Sequence, residues 1–227
     1  TPDTQLYRKT QVLYGIDLAK SAIVKKRQVV IVEGYTDVMA MHLAGIDTAI
    51  ATCGTAFGAE HAKIVRRLIA DDSLGAVQLV GPLKVKDQPL SSRIVFTFDG
   101  DAAGQKAARR AIQFIEQDSM DLRCVVLPDG NDPMEFITAH GGQELQARID
   151  AAEPLMDFVY RSLQESSDIT TPGGRAKALE DALTLIYPLR DSYMIDTYFI
   201  QIADLLGLDL ETVRASSGRV FRDVAKR

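Results

Sequence analysis

Short apolar runs alternate with segments of helical periodicity between residues 28 and 145. Continuous apolar runs of this kind are typical of strands that are covered on both faces. They predict strands at Gln28–Val32, Ile46–Ala51, Ile94–Phe98 and Leu122–Leu127. The segments between them predict helices at Thr36–Leu43, Glu60–Ala70 and Ala102–Gln117. Because strands and helices alternate, we expect an α/β fold with right-handed crossovers and a mainly parallel sheet flanked by helices.

After Gly141-Gly142 the pattern becomes helical only, which predicts a small all-α subdomain. The helices predicted there are Gln143–Ala151, Pro154–Gln164, Gly174–Tyr187, Ser192–Leu206 and Leu210–Val220. Residues 71–93 interrupt the earlier rhythm, and we expect an inserted hairpin or a mobile loop there. We therefore divide the chain into a basic lead-in at 1–27, an α/β domain at 28–145 and a helical subdomain at 146–227.

The composition limits the classes of protein to which the chain can belong. The chain has 227 residues, of which 46% are hydrophobic and 25% charged, as in ordinary globular proteins. No apolar run approaches the roughly 20 residues that span a bilayer, so we expect a soluble, cytoplasmic protein without a membrane partner. Two cysteines without a CxxC pair and three dispersed histidines make a disulfide framework or a zinc site implausible.

The charge is unevenly distributed. Residues 1–27 carry six Lys and Arg against two acids, whereas residues 28–150 carry eleven against seventeen. A basic lead-in beside an acidic centre suits phosphate ligands held by cations, together with metal ions held by carboxylates. Because the whole chain is acidic, we expect any polynucleotide contact to be local, metal-assisted or shared with parts outside the chain. The chain begins with Thr1 rather than Met, and we expect it to be a fragment of a larger protein.

Three carboxylates follow two of the predicted strands. Asp99 and Asp101 come at the end of Ile94–Phe98, and Glu33 comes directly after Gln28–Val32. Residues two apart on a strand point to the same face, and ligands of open α/β sheets bind at the carboxyl ends of the strands. A turn at Asp99-Gly100-Asp101 is the alternative interpretation. We favour a metal site, for which oxygen-only ligands predict Mg²⁺ or Mn²⁺.

Three further acids lie close to the same predicted edge of the sheet. Asp37 lies four residues after Glu33, one helical turn further on, which places it to face the same cleft. The alternative interpretation is a solvated acid in the first turn of a helix. Asp129 and Asp132 follow the strand Leu122–Leu127, and Asp132 before Pro133 has the pattern of a helix N-cap. Asp129 has less structural explanation than Asp132 and is the better candidate for a further metal contact.

Other candidate groups give weaker signals. Lys106 and Arg109, on the helix predicted after Asp101, are placed to contact phosphate, although a solvated helix face is the commoner explanation. The loop Gly54–Gly58 has the composition to present backbone N–H groups to a phosphate. The histidines His42, His61 and His140 are interpreted as surface or packing residues.

Four segments together resemble the Toprim domain, in the form found in bacterial DnaG-type replicative primases. They occur in the family's order and spacing: Val32-Glu33-Gly34-Tyr35-Thr36-Asp37-Val38, Cys53-Gly54-Thr55-Ala56, Thr97-Phe98-Asp99-Gly100-Asp101-Ala102-Ala103-Gly104 and Leu127-Pro128-Asp129-Gly130-Asn131-Asp132-Pro133. The lead-in around Tyr7-Arg8-Lys9 and Leu13-Tyr14-Gly15 is similar to the segment that enters Toprim in that family. The resemblance covers most of residues 1–150 and implies a Rossmann-like Toprim catalytic domain.

The resemblance implies synthesis of short RNA primers from ribonucleoside triphosphates on a single-stranded DNA template during replication. By the family pattern, Glu33, Asp99 and Asp101 are the catalytic residues and principal metal ligands. Asp37, Asp129 and Asp132 are supporting metal ligands, and two or more Mg²⁺ or Mn²⁺ ions are expected. Lys9 matches a basic position that contacts nucleotide phosphates and template.

The resemblance also implies parts that this sequence lacks. The family's zinc-binding module needs a Cys/His cluster that the chain does not contain, so no zinc is expected. Helicase contact is expected through a C-terminal domain absent here, and much of the template-binding surface precedes Toprim. We therefore expect the fragment to bind metal and nucleotide but to prime weakly or not at all alone.

Two other classes of function stay open from the sequence. The same acids serve Toprim nucleases and topoisomerases, which cleave DNA strands. A topoisomerase needs a nucleophilic tyrosine in a separate DNA-binding domain, and no tyrosine of residues 151–227 has a convincing context, so the nuclease is the stronger alternative. The third interpretation is an interaction module at residues 151–227 with Toprim as an inert scaffold.

Overall fold

The computed structural model describes residues 8–52, 54, 56–69, 92–99, 111 and 121–226, with only the backbone given for Lys9 and Asp99. The chain divides into two compact units, Thr1–Pro154 and Leu155–Arg227. The predicted helix Ala102–Gln117 and the predicted insertion at residues 71–93 lie almost wholly outside the described residues. The described helices include none with the length and the apolar composition of a membrane span.

The described residues of the first unit form a mixed sheet of five strands. Its strands are β1 (Gln28–Val32), β2 (Ala49–Ala51), β3 (Arg93–Asp99), β4 (Asp121–Leu127) and β5 (Glu153–Pro154). The strand order is β2-β1-β3-β4-β5. The first four strands are parallel, and β5 pairs with β4 in the antiparallel direction. The α/β class and the mainly parallel sheet predicted from the sequence are confirmed.

Strand β2 is shorter than the predicted Ile46–Ala51, because the preceding helix ends in a Schellman motif. Gly45 is left-handed with φ 87°, and its N–H donates to the carbonyl of His42. The N–H of Ile46 donates to the carbonyl of Met41 at 2.8 Å. These two bonds satisfy carbonyls of the last helical turn. Because the N–H of Ile46 is used at the helix end, Ile46 does not pair with β1.

The described residues of the first unit form five α-helices. They are α1 (Ile16–Lys26), α2 (Tyr35–Leu43), α3 (Ala59–Ile69), α4 (Pro133–His140) and α5 (Gly142–Asp150). Helix α2 packs against α4, and α1 packs against α3. One buried cluster joins α2, α4 and α5 to the sheet through Val30, Val32, Val95, Val125 and Leu127.

The opposite face of the sheet carries an aromatic row. Phe96 follows Val95 and therefore points to the other face, because strand side chains alternate. The ring of Phe57, just before α3, lies edge-on to Phe96 at 5.2 Å between centroids. Phe96 and Phe98 stack with parallel rings 5.9 Å apart. Helix α3 therefore begins on the face opposite the α2/α4/α5 cluster.

The second unit is entirely helical, as the sequence predicts. Its helices are α6 (Leu155–Ser166), α7 (Pro172–Ile186), α8 (Ile195–Leu206) and α9 (Leu210–Ala225). The hydroxyl of Thr171 accepts the N–H of Gly174 and caps α7, and Asp209 accepts the N–H of Thr212 and caps α9. Both caps satisfy backbone donors that a helix start leaves without intrahelical partners.

Candidate metal and nucleotide site

The carboxyl ends of three adjacent parallel strands carry the predicted acids. Strands β1, β3 and β4 are neighbours in the sheet, so the residues that follow them share one edge. Asp99 is the last residue of β3 and is in register with Leu127, the last residue of β4. Ile31 is in register with Phe96, which places exposed Glu33 two residues beyond that level. The fold therefore brings these chain positions to one edge, as the strand pattern predicts.

Asp37 lies in the first turn of α2 and is 4% exposed. Its Oδ2 accepts the backbone N–H of Gly34 at 3.0 Å, across the junction between β1 and α2. This bond satisfies one of the donors at the helix start, as the third residue of a capping box does. Asp37 thus has a structural role next to Glu33, whichever ligand its carboxylate also serves.

The turn after β4 presents Asp129 in an uncommon backbone conformation. Asp129 is exposed and left-handed, with φ 60° and ψ 16°, and Gly130 follows with φ 70°. Outside glycine this region is populated mainly by Asn and Asp, at some cost in backbone energy. The turn is closed by the N–H of Asn131, which donates to the carbonyl of Pro128 at 3.1 Å.

Asp132 is the N-cap of α4. Its Oδ1 accepts the N–H of Glu135 at 2.7 Å, and Glu135 Oε2 accepts the N–H of Asp132 at 3.2 Å. Pro133 occupies the first helical position, where a missing N–H costs nothing. The capping pattern noted in the sequence is therefore present, and any metal contact by Asp132 is additional to it.

The basic lead-in reaches the same edge. Tyr14 exchanges two backbone hydrogen bonds with Ala51, the last residue of β2. Its ring lies 6.1 Å from that of Tyr35, the first residue of α2, at an interplanar angle of 65°. Lys9 is in a 3-10 helix, Lys9–Gln11, five residues before Tyr14. No periodic signal in the sequence predicts this tyrosine pair, because its members belong to different elements.

Several predicted site residues lie outside the described part of the chain. They are Asp101, Lys106 and Arg109, together with the side chains of Lys9 and Asp99. Among the side chains that the structure describes, no three acidic, histidine or cysteine groups gather closely enough to hold a metal ion. What is described is a set of oxygen donors at or near one sheet edge, which fits a hard divalent cation in chemistry.

One hydrogen bond of this region, made by His61, is missed by sequence reasoning. His61 is fully buried at the third position of α3, and its Nδ1 accepts the N–H of Gly58 at 3.3 Å. The sequence-based interpretation of His61 as a packing residue agrees with its burial but does not include the bond. The spacing of three residues from Gly58 to His61 is the available signal, since it is the capping-box spacing with histidine in place of Glu or Gln.

Comparison with known families matches both units. A model of the Toprim domain matches residues 27–127, and a model of the DnaB-helicase binding domain of primase matches residues 156–211. The first match contains β1 to β4. The second covers most of the helical unit. Toprim primases are metal-dependent, in keeping with the acids at the edge.

Individual relatives give the same result. The chain is 44% identical over 208 residues to the DNA primase of Streptomyces coelicolor, covering 92% of this chain and 30% of that protein. A DNA primase domain from Pseudomonas aeruginosa has a TM-score of 0.75 at 30% identity, covering 96% of this chain and 62% of that one.

A third relative is the RNA polymerase domain of Mycobacterium tuberculosis primase DnaG, in complex with a double-stranded DNA oligomer with a 6-nucleotide overhang. It has a TM-score of 0.65 at 38% identity, covering 92% of this chain and 60% of that one. The chain spans about a third of the length of the curated relatives it matches. The chain therefore belongs to the DnaG-type primases, of which it comprises the Toprim domain and the helices that follow it.

Proposed function

We propose that the chain is part of the catalytic core of a replicative DNA primase. In this proposal it contributes the metal and nucleotide site for nucleotidyl transfer, by which short RNA primers are made from ribonucleoside triphosphates on single-stranded DNA. The observation that carries the proposal is the alignment of the ends of β1, β3 and β4 at one sheet edge, with Glu33, Asp99 and Asp129 at or just beyond them.

The acids divide into two groups in this proposal. Glu33, Asp99 and Asp101 would be the principal ligands of two or more Mg²⁺ or Mn²⁺ ions. The supporting acids are Asp37, Asp129 and Asp132. When bound, such ions supply electrostatic stabilisation of the attacking and leaving oxygens of phosphoryl transfer. The protein's own task is to hold these carboxylates in place, which the helix caps at Asp37 and Asp132 support.

The proposed nucleic-acid contacts are basic. Lys9 leads into the edge through Tyr14, and Lys106 and Arg109 follow Asp101 along the chain. Cations at these positions are suited to nucleotide and template phosphates. The related Mycobacterium tuberculosis domain, whose structure includes DNA, supports this part of the proposal.

A replicative helicase is the proposed protein partner. The sequence resemblance placed that contact in a domain outside this chain. The family model that matches residues 156–211 is described as a DnaB-helicase binding domain, which supports a contribution from the helical unit. Binding of the helicase to the chain, and to a version that ends at residue 154, would separate these two locations.

The metal site is tested by calorimetric titration of Mn²⁺ and Mg²⁺ into the chain. We expect Glu33→Gln, and a double variant with Asp99→Ala and Asp101→Ala, to weaken binding by about tenfold or more. The matched control is Asp47→Asn, which removes an exposed carboxylate paired with Lys26 just before β2, away from the carboxyl edge. Equal binding by all four proteins would overturn the site.

The reaction is tested on the complete protein that contains this chain. It is given single-stranded template, ribonucleoside triphosphates and Mg²⁺, and the products are separated by size. New RNA that disappears in Glu33→Gln supports primer synthesis. Shortened template without new RNA would overturn the primase and favour a Toprim-type nuclease.

A further inference from the structure

The connection between β2 and α3 crosses the strand that carries Glu33. Strand β1 lies between β2 and β3 in the sheet. The connection leaves β2 after Ala51, which is in register with Val32, and reaches β3 where Phe57 packs edge-on to Phe96. Phe96 is in register with Ile31. The connection therefore passes β1 at the level of its last two residues, directly before Glu33.

Within the described part of the chain, this connection is open at Gly54. Gly54 is exposed and left-handed, with φ 77°, and a Cβ placed on it would meet no described atom within 4 Å. A glycine in this conformation lets the backbone approach a bound group closely. Backbone N–H groups in such turns are suited to phosphate oxygens.

His61 fixes the inner side of the same connection. Its buried ring accepts the N–H of Gly58 through Nδ1, and an imidazole nitrogen accepts only when it carries no proton. The ring also lies 5.8 Å from that of Phe57, between centroids. One side chain of α3 thus supports both the last residue of the connection and the ring that anchors it on β3.

We propose that His61 is a positioning residue of the nucleotide site. By holding Gly58 and Phe57, it fixes the β2–α3 connection beside Glu33, where the connection lies against the triphosphate of a metal-bound nucleotide. The inference rests on the proposed function and adds to it a residue that contacts neither substrate nor metal. Small displacements of a binding loop cost much of its affinity, so the effect is expected in nucleotide binding.

A histidine that only caps α3 would act through stability alone, and three variants separate the two roles. His61→Leu removes the acceptor while keeping an apolar side chain of similar size. His61→Asn restores an acceptor near the place of Nδ1. Val65→Ala, at a fully buried position one turn further along α3, lowers stability without altering a group that bonds to Gly58.

The experiment measures binding of ATP with Mn²⁺ to the 227-residue chain, binding of Mn²⁺ alone, and the melting temperature of each protein. We expect His61→Leu to weaken ATP binding about tenfold, and His61→Asn and Val65→Ala to stay within about twofold of the unsubstituted chain. Binding of Mn²⁺ alone is expected to be unchanged in all of them. If His61→Leu does not fold, Phe57→Leu replaces it, because it loses the anchor on Phe96 and keeps the cap.

Two results would overturn the inference and leave the proposed function standing. One is ATP binding by the folded His61→Leu or Phe57→Leu variant that equals that of the unsubstituted chain. The other is an equal loss in Val65→Ala, which would assign the effect to stability. An unsubstituted chain that binds Mn²⁺ but no ATP would overturn the nucleotide site itself, and the inference with it.

Discussion

The backbone N–H of Gly34 donates a hydrogen bond to Asp37 Oδ2, and this bond joins the end of β1 to the start of α2. The same arrangement, in which the third helical residue accepts the N–H of the residue before the helix, recurs at two other helices: from Gly58 to His61 and from Asp132 to Glu135. Each of these bonds lies at the start of the helix that follows the carboxyl end of a strand. The helix caps and the candidate site therefore occupy the same short segments.

Asp37 is expected to have separable effects on stability and on metal binding. Asp37→Ala leaves the partly buried N–H of Gly34 without its acceptor, and we expect a loss of about 1–2 kcal/mol in the free energy of unfolding. Asp37→Asn keeps an acceptor oxygen and should retain most of that stability. Urea denaturation in the absence of metal measures the free energy of unfolding of both variants.

The contribution of Asp37 to metal binding is then measured with Asp37→Asn alone. We expect weaker Mn²⁺ binding by this variant, because it loses the charge and keeps the cap. Glu135→Ala is the matched control, since it removes the same capping position from α4. Unchanged stability in Asp37→Ala would contradict the structural role, and unchanged Mn²⁺ affinity in Asp37→Asn would contradict the metal role.

Asp129 is expected to lower the stability of the chain and to contribute to metal binding. Its left-handed backbone is strained for a residue with a Cβ, so Asp129→Gly should raise the free energy of unfolding by up to about 1 kcal/mol. The same change removes a proposed metal ligand and should weaken Mn²⁺ binding. Gly130→Ala is the opposite control, since it adds a Cβ at φ 70° and should destabilise the chain. A less stable Asp129→Gly would show that the side chain stabilises this turn.

The strands were predicted well because their signal is local. The runs Gln28–Val32 and Leu122–Leu127 are mostly apolar, and the observed β1 and β4 differ from them by at most one residue. The prediction for β2 was wrong at its start, because Ile46 bonds back to the end of α2 and the strand begins only at Ala49. Strand β5 was not predicted, since two residues carry no periodicity.

The site could be predicted only in part. Carboxylates after apolar runs are visible in the sequence, and the parallel order of the strands brings those strand ends to one edge. The bond from Gly58 to His61 and the ring pair of Tyr14 and Tyr35 depend on how separate segments pack. Neither arrangement follows from the local pattern of apolar residues.

Gly174 is expected to be indispensable for the fold of the helical unit. A Cβ built on it would lie 1.9 Å from the carbonyl oxygen of Asp168, which belongs to the backbone and cannot move aside. We expect Gly174→Ala to lower the free energy of unfolding by about 2–4 kcal/mol. At Gly173 a Cβ meets no described atom within 4 Å, so Gly173→Ala should be neutral or stabilising by up to about 1 kcal/mol. Equal melting temperatures for the two variants would contradict this packing.

Tyr160 is expected to make the helical unit sensitive to alkaline pH. It is 3% exposed, and its hydroxyl has no hydrogen-bond partner among the described residues. Burial raises the pKa of this phenol above the ordinary value of 10.0, and Tyr198 and Asp157 raise it further. Tyr160→Phe removes a buried polar group that is not hydrogen-bonded, and we expect it to stabilise the unit by about 1 kcal/mol near neutral pH.

The direction of the pH effect follows from which state releases the proton. Below pH 10 the folded and the unfolded chain both keep the phenol protonated, so Tyr160 adds no pH dependence. Above it only the unfolded chain ionises, and the free energy of unfolding falls by up to about 1.4 kcal/mol per pH unit for this one group. Urea denaturation between pH 9 and about 11.5 should therefore show a shallower decline for Tyr160→Phe than for the unsubstituted chain. Tyr193→Phe, at a side chain that is 95% exposed, is the control and should follow the unsubstituted chain. Parallel declines for all three proteins would mean that the Tyr160 hydroxyl is solvated in the folded state.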